Sequence, residues 1–137
     1  MRILALDIGE KRVGLAISDS SEKLASPLKI LPAEDIKACS KNFRSIVEDW
    51  EVEKFLVGLP LSMSGESGKQ VEAIKKIAAN LQQQFPQIPM EFYDERLSSK
   101  EAKQKLKTEG LSEKDMRDKL DALAASIFLQ AYLESSS

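Results

Sequence analysis

The sequence predicts an α/β sandwich whose centre is a five-stranded mixed sheet. Three short apolar segments with the composition of strands come first, at residues 3–6, 13–18 and 25–31, and two more follow at 54–59 and 90–93. Segments in which apolar residues recur at helical spacing separate the later strands. Strands close together in the chain can pair antiparallel, whereas strands joined by helices pair in parallel. This order predicts a mixed sheet with helices packed on it.

The first two strands are predicted to form a hairpin through a tight turn at residues 9–12. Residues 13–18 alternate and are rich in small and β-branched side chains, which is typical of a strand. The third strand, 25–31, contains Pro27, whose nitrogen has no hydrogen to donate to a neighbouring strand. We therefore expect this strand at an edge of the sheet.

Two helices are predicted between the later strands. Residues 35–50 place apolar side chains at helical spacing, and we expect the aromatic ones, Phe43 and Trp50, in the core. A loop rich in glycine and serine at 60–68 precedes a second helix at 69–85. Because the loop lacks the Gly-Lys-Ser/Thr ending of a P-loop, we expect it to contact substrate rather than to bind a nucleotide.

Two further helices are predicted in the last third of the chain. Ser98 and Glu101 have the spacing of a capping box and begin a helix that ends near residue 108. A longer helix begins near residue 112. Its predicted apolar face consists of Leu120, Leu123, Ala124, Ile127, Phe128, Ala131 and Tyr132.

The composition limits the chemistry that the protein can perform. The 137 residues include no histidine and one cysteine, Cys39, which excludes a Ser-His-Asp triad, a Cys-His pair and a zinc site of several cysteines. With 42% hydrophobic and 31% charged residues, the composition is that of a soluble globular protein. We expect one domain over residues 1–137, a cytoplasmic location and no membrane association.

Three acidic residues stand where the predicted fold places ligands. Asp7 and Glu95 follow the first and the last predicted strands, and Asp121 lies on the last helix beside its apolar face. In open α/β sheets, ligands bind beside the carboxyl ends of strands. Each acid taken alone has an ordinary interpretation as a turn residue or a solvated surface group. Asp118, one turn before Asp121, is an auxiliary candidate.

Three converging carboxylates without a histidine would form a site of hard oxygen ligands, which suits Mg²⁺ or Mn²⁺. Without cations these groups would repel one another. Two divalent ions about 4 Å apart would relieve that repulsion and support phosphodiester hydrolysis, with an activated water in place of a side-chain base. The resulting hypothesis is a metal-dependent hydrolytic site formed by Asp7, Glu95 and Asp121.

Four segments together resemble the YqgF/RuvX family. They are DIGEKRVGLAISD at 7–19, VGLPLSMSG at 57–65, DERLSS at 94–99 and DALAA at 121–125, and they occur in the family's order. The resemblance implies an RNase H-like fold with helices on both faces of the sheet. It also implies nuclease activity, since members are described as Holliday junction resolvases and as nucleases for the 5′ end of pre-16S rRNA.

The same resemblance implies that Asp7, Glu95 and Asp121 are the catalytic, metal-binding acids. In one respect the chain departs from related junction resolvases. They carry an acid after the fourth strand, where this sequence has Leu59-Pro60. Glu95, from the fifth strand, takes that place, so the metal geometry and the rate are expected to differ from those of these relatives.

Basic residues near the acids are candidates for nucleic-acid binding. Lys11 and Arg12 are predicted at the tip of the first hairpin, and Arg96 directly follows Glu95. Such groups bind phosphate oxygens well, although exposed charges at turns are also common without that role. Residues 96–119 contain eight Lys or Arg against five Asp or Glu, a local charge of +3 in a chain of net charge −2. This imbalance indicates a surface that could bind a nucleic-acid backbone.

The sequence leaves the substrate and two other functional classes open. We expect pre-rRNA rather than a DNA junction, bound by a monomer or a homodimer. An actin-like or sugar-kinase-like ATP-binding protein is an alternative, because Asp7 and Gly9 also resemble the phosphate-binding hairpin of that superfamily. Such proteins need two similar lobes, and this chain has room for one. A non-catalytic RNA-binding or assembly factor is the third interpretation.

Overall fold

A computed structural model describes residues 1–60, 68–95 and 113–135, with side chains in the last range from residue 122 onward. In these ranges one sheet has the strand order β3-β2-β1-β4-β5. The strands are β1 (Ile3–Ile8), β2 (Arg12–Ser18), β3 (Ala25–Pro32), β4 (Lys54–Leu59) and β5 (Met90–Asp94). The helices are α1 (Ala33–Lys37), α2 (Lys41–Asp49), α3 (Lys69–Gln84) and α4 (Glu113–Ser135).

The strand pairing confirms the predicted mixed sheet. β2 pairs antiparallel with β1 and β3, whereas β4 pairs in parallel with β1 and β5. The parallel pairs bring the carboxyl ends of β1, β4 and β5 to the same end of the sheet. β3 is an edge strand, as Pro27 predicts, and its register with β2 shifts between Leu15 and Ala16.

Helices pack on both faces of the sheet. Because side chains alternate along each strand, successive residues of β1 belong to two different cores. Leu4 and Ile8 of β1 lie in a large core together with residues of α1, α2 and α3. Ile3 and Ala5 lie on the other face, where they pack against α4. The alternation places Asp7 on the α4 face.

The segment predicted as one helix over residues 35–50 forms two helices. α1 ends at Lys37, and Cys39 then adopts a left-handed backbone conformation with a φ of 51°. The Ser40 hydroxyl caps α2 by accepting a hydrogen bond of 3.4 Å from the Phe43 N–H. The apolar spacing continues across the break, so periodicity alone does not detect it. The capping serine is the local signal for a new helix.

The two aromatic residues expected in the core differ in burial. Phe43 is fully buried and contacts the rings of Phe55 and Phe85. Trp50 is 37% exposed, so the prediction that it lies in the core is wrong. It follows the last turn of α2, where the Arg2 guanidinium lies 5.5 Å from the centre of its ring. A residue at a helix end can match the apolar spacing without being covered by the sheet.

The apolar face of α4 is turned relative to the prediction. The side chains that pack on the sheet are Ala125, Phe128, Leu129 and Leu133. Four residues of the predicted face are only partly buried, namely Leu123, Ala124, Ala131 and Tyr132. From Leu120 to Leu133 apolar residues lie on most sides of this helix, so their spacing does not select one face. Contact with the sheet makes that selection.

α4 runs in the direction opposite to β4. The Tyr132 hydroxyl accepts a hydrogen bond of 2.5 Å from Lys54 Nζ, at the start of β4. Phe128 packs against Gly58, near the end of the same strand. The part of α4 that precedes Phe128 therefore lies toward the carboxyl ends of β1 and β4.

Two predicted segments lie largely outside the described residues. They are the helix at 98–108 and the loop at 60–68, of which only Pro60 and Gly68 are described. Within the described ranges, no helix combines the length and apolar character needed to cross a membrane.

Candidate active site

Asp7 lies near the end of β1, between glycines on the two neighbouring strands. It is directly opposite Gly14 in the antiparallel pair with β2. On the other side, the parallel pairing with β4 extends to Leu6 and Val57, so Asp7 and Gly58 come next on the two strands. Neither glycine places a side chain beside the half-buried Asp7 carboxylate. Glycine inside a strand often marks a place where another group approaches the backbone closely.

The first hairpin turns tightly at Gly9. The Gly9 N–H donates a hydrogen bond of 2.9 Å to the Arg12 carbonyl, and a Cβ atom on Gly9 would lie 2.8 Å from that oxygen. Glycine is the residue that fits this approach. The Lys11 carbonyl accepts a hydrogen bond of 2.8 Å from the Ala33 N–H, which ties the turn to the start of α1. The Lys11 and Arg12 side chains are exposed at this tip.

Glu95 immediately follows β5 and lies over the adjacent strand. Tyr93 of β5 pairs with Gly58 of β4. Because side chains alternate, Tyr93 and Glu95 share the α4 face and Asp94 faces the other side. A Cβ atom built on Gly58 would lie 2.9 Å from Cγ and 3.0 Å from Cδ of Glu95. The Glu95 carboxyl group therefore lies over β4, the strand next to β1, on the same face as Asp7.

Asp121, the third predicted acid, belongs to α4, and only its backbone position is described. It precedes Phe128 by seven residues, and Phe128 packs on the sheet. Positions with this spacing lie on one side of a helix. The approach of the Asp121 carboxylate to Asp7 and Glu95 stays a prediction, as does a role for Asp118.

The described part of the site contains two carboxylates on one face of the sheet. Asp7 and Glu95 offer hard oxygen ligands, the donor type that Mg²⁺ and Mn²⁺ prefer. Among the side chains that are described, no group of three His, Cys, Asp or Glu could hold a metal ion. The side chains of Asp121 and Arg96 lie outside that set. The donor chemistry of the two described acids fits a divalent cation as part of a larger ligand set.

Two lysines that the sequence analysis did not select lie beside the hairpin. A cleft of about 230 Å³ is lined by Gly9 and Glu10 of the turn, by Lys37 at the end of α1 and by Lys69 at the start of α3. Its wall includes Ile8, so the cleft lies on the sheet face opposite α4. No sequence pattern connects the two lysines, because their helices are distant in the chain and approach each other only in the fold.

Two solved structures with a similar fold are junction resolvases. The Fowlpox virus resolvase in complex with Holliday junction DNA superposes with a TM-score of 0.60 at 17% identity, over 99% of each chain. T. thermophilus RuvC in complex with a Holliday junction substrate superposes with a TM-score of 0.57 at 14% identity, over 99% of this chain and 95% of RuvC. These similarities confirm the predicted RNase H-like fold.

Sequence relatives cover almost the whole chain. A Chloroflexus aurantiacus protein is 40% identical over 133 residues, which is 97% of this chain and 86% of the relative. A Syntrophomonas wolfei protein is 39% identical over 137 residues, 100% of this chain and 96% of the relative. Both carry the name "Putative pre-16S rRNA nuclease". The family model for RuvX, described as "Holliday junction resolvase", matches residues 1–135. The chain therefore belongs to the RuvX family and is a nuclease, a class of hydrolase.

Proposed function

We propose that this protein is a metal-dependent endonuclease that processes the 5′ end of pre-16S rRNA in the cytoplasm, as a single domain over residues 1–137. The observation that carries the proposal is the position of two acids. Asp7 and Glu95 lie at the carboxyl ends of β1 and β5 on one face of the sheet, and the Glu95 side chain lies over the strand between them. Membership of a nuclease family supports hydrolysis of nucleic acid as the reaction.

Asp7, Glu95 and Asp121 are the proposed ligands of two Mg²⁺ or Mn²⁺ ions. Their negative charges would repel one another if the ions were removed. Held by these carboxylates, the ions would supply positive charge to polarise the scissile phosphate and stabilise the leaving oxygen, and would make a bound water more acidic. Asp7 pairs with Gly14 of β2, and the preceding Leu6 pairs with Val57 of β4, so the backbone of this ligand is held in place before substrate arrives. The chain contains no histidine, so no imidazole acts as the base.

Basic side chains are proposed to hold the substrate backbone. Lys11 and Arg12 at the hairpin tip, with Arg96, bind phosphates near the scissile bond. Lys37 and Lys69 line the cleft beside the hairpin together with Glu10, and they are proposed as further phosphate contacts. Lys37 also pairs with Glu34 at 3.8 Å. Contacts of this kind orient a nucleic acid without reading its bases. We therefore expect the shape of the substrate to determine its selection more than its sequence does.

The relatives and the structural neighbours favour two different substrates. The relatives at 39% and 40% identity are named for pre-16S rRNA, which supports the RNA substrate. A DNA four-way junction is the second candidate, because the family description and both structural neighbours refer to Holliday junctions. A symmetric junction needs two active sites and so a homodimer, whereas a single rRNA end can be cut by a monomer.

The decisive experiment offers both substrates to the purified protein. A labelled pre-16S rRNA precursor and a synthetic four-way junction are incubated with Mg²⁺, with Mn²⁺ and with chelator. Cation-dependent cleavage of the precursor supports the proposed function, and symmetric cleavage of the junction alone would favour the second candidate. RNA binding without cleavage under every condition would indicate a non-catalytic assembly factor. Saturable micromolar ATP binding in calorimetry would indicate the ATP-binding class.

A further inference from the structure

We propose that Gly58 is a positioning residue for the Glu95 carboxylate. The inference rests on the proposed function of Glu95 as a metal ligand. Gly58 lies near the end of β4 and pairs with Tyr93 of β5. Its backbone is an ordinary extended strand and not left-handed, so conformation does not require glycine at this position. The requirement for glycine comes from space.

Neighbouring atoms occupy the place where a side chain at residue 58 would begin. A Cβ atom on Gly58 would lie 2.8 Å from Cε2 of Phe128, 2.9 Å from Cγ of Glu95 and 3.0 Å from Cδ of Glu95. Favourable contacts between carbon atoms are about 3.5–4.0 Å long. A methyl group at this position must therefore displace the phenyl ring, the glutamate or both.

The Phe128 ring has little room to move. It is 1% exposed and belongs to the core between α4 and the sheet. It also stacks on the Tyr93 ring, with 5.6 Å between the ring centres and 15° between the planes. Because protein interiors are close-packed, a shift of this ring would disturb several neighbours.

We expect the methyl group of Gly58→Ala to displace the Glu95 side chain. Glu95 follows the last residue of β5 and is half-buried, whereas the Phe128 ring is enclosed, so the glutamate should be displaced rather than the ring. In the native chain, the absence of a side chain at Gly58 leaves a space beside the Phe128 ring, and the Glu95 side chain fills that space. Packed in this space, the Glu95 side chain extends across β4 toward β1, the strand that carries Asp7. Glycine weakens a strand interior, and here that cost is offset because only glycine leaves the space that the Glu95 side chain and the Phe128 ring occupy.

The test measures Mn²⁺ binding by calorimetry and cleavage of labelled pre-rRNA in Gly58→Ala. We expect the Kd for Mn²⁺ to rise about 10- to 100-fold, as for other groups that orient metal ligands. We also expect kcat to fall while KM for the RNA stays close to the wild-type value. Leu133→Val is the control for lost packing, because it changes the same core at the other end of α4. It should leave the Kd for Mn²⁺ unchanged.

A double-mutant cycle with Glu95→Gln separates positioning from general damage. If Gly58 acts through Glu95, Gly58→Ala will not weaken Mn²⁺ binding further in the Glu95→Gln background. An unchanged Kd in folded Gly58→Ala, or an equal loss in both backgrounds, would overturn the proposal. If Gly58→Ala does not fold, the substitution is made in the Phe128→Leu background, where the smaller leucine side chain leaves room for the added methyl group. Mn²⁺ binding is then compared with that of Phe128→Leu alone. Wild-type protein that binds no Mn²⁺ would overturn the proposed function itself, and the positioning role with it.

Discussion

Gly14 of β2 lies directly opposite Asp7 of β1 in their antiparallel pair. Opposed residues of this kind project from the same face of a sheet with their Cβ atoms about 4.5–5.5 Å apart. A larger residue at position 14 would therefore stand beside the carboxylate. Gly58 has the corresponding position on the strand at the other side. The Asp7 side chain thus projects between two glycines, and on the Gly58 side the Glu95 side chain and the Phe128 ring occupy the space that a side chain at residue 58 would fill.

Asp7→Asn should abolish cation-dependent cleavage while the protein stays folded. The substitution keeps the size of the side chain but removes the charge that would bind a cation. We expect cleavage of the labelled precursor to fall by about 100-fold or more, which corresponds to roughly 2.7 kcal/mol in the activation barrier. The matched control is Asp19→Asn, because Asp19 is exposed and follows β2 at the end of the sheet opposite to Asp7. Full activity in Asp7→Asn would remove Asp7 from the proposed site.

Divalent cations should stabilise the wild-type protein and not Asp7→Asn. A ligand that binds only the native state raises the free energy of unfolding by about 2.7 kcal/mol at a hundredfold excess over its Kd. Thermal unfolding is recorded without cation, with Mn²⁺ and after addition of chelator. We expect the Tm of the wild type to rise with Mn²⁺ and to return with chelator. An equal rise in the variant would mean that Mn²⁺ binds elsewhere.

Neutral side chains at the hairpin tip should weaken binding of nucleic acid in a salt-dependent way. For Lys11→Gln and Arg12→Gln, we expect the slope of log K against log salt to fall by about 0.7–0.9, the contribution of one phosphate contact. Fluorescence anisotropy with a labelled RNA in chelator, where cleavage is suppressed, measures this slope. Lys23→Gln is the matched control, since Lys23 is exposed at the end of the sheet opposite to the hairpin tip. Slopes equal to that of the wild type in both tip variants would argue against phosphate contacts there.

Lys54 should stabilise the contact between β4 and α4 until the pH becomes strongly alkaline. Its ammonium group donates hydrogen bonds to the Tyr132 hydroxyl and, at 3.1 Å, to the Glu91 carboxylate. The hydrogen bond with Tyr132 is the main reason why the pKa of Lys54 is raised, and Glu91 adds to it against the opposing effect of burial. A raised pKa in the folded state means that folding favours the charged form. The stabilisation is therefore complete below the pKa of an unfolded lysine, about 10.4, and disappears as the pH rises through the higher folded value.

Lys54→Met should lower the free energy of unfolding by about 1 kcal/mol between about pH 7 and 9. The difference from the wild type should then shrink as the pH rises above about 10.5, because the lysine of the unfolded chain loses its proton first and the native lysine follows at higher pH. Urea unfolding across this range measures both values. A difference that stays constant to the highest pH would assign the loss to packing of the side-chain stem and not to the charge.

Local chemistry made much of the fold predictable. Pro27 lacks a donor, and its strand lies at the edge of the sheet. The turn at Gly9 follows from the close approach of the Arg12 carbonyl, which only glycine tolerates. The family and the nuclease class were also predictable, because four short segments in order are more specific than any one residue, and the match over residues 1–135 confirms the family. The convergence of Asp121 with the other two acids remains a prediction.

By itself, therefore, the sequence determined the five-stranded mixed sheet with its third strand at an edge, the first hairpin, the family and the identity of the candidate acids. Only the tertiary structure decided which face of α4 meets the sheet, that Trp50 is partly exposed, and that Glu95 lies over Gly58 against Phe128. Lys37 and Lys69 likewise meet at one cleft only in the fold. The physical reason is the range of the interactions. Turns, caps and missing donors act within a few residues, whereas packing joins side chains that are tens of residues apart.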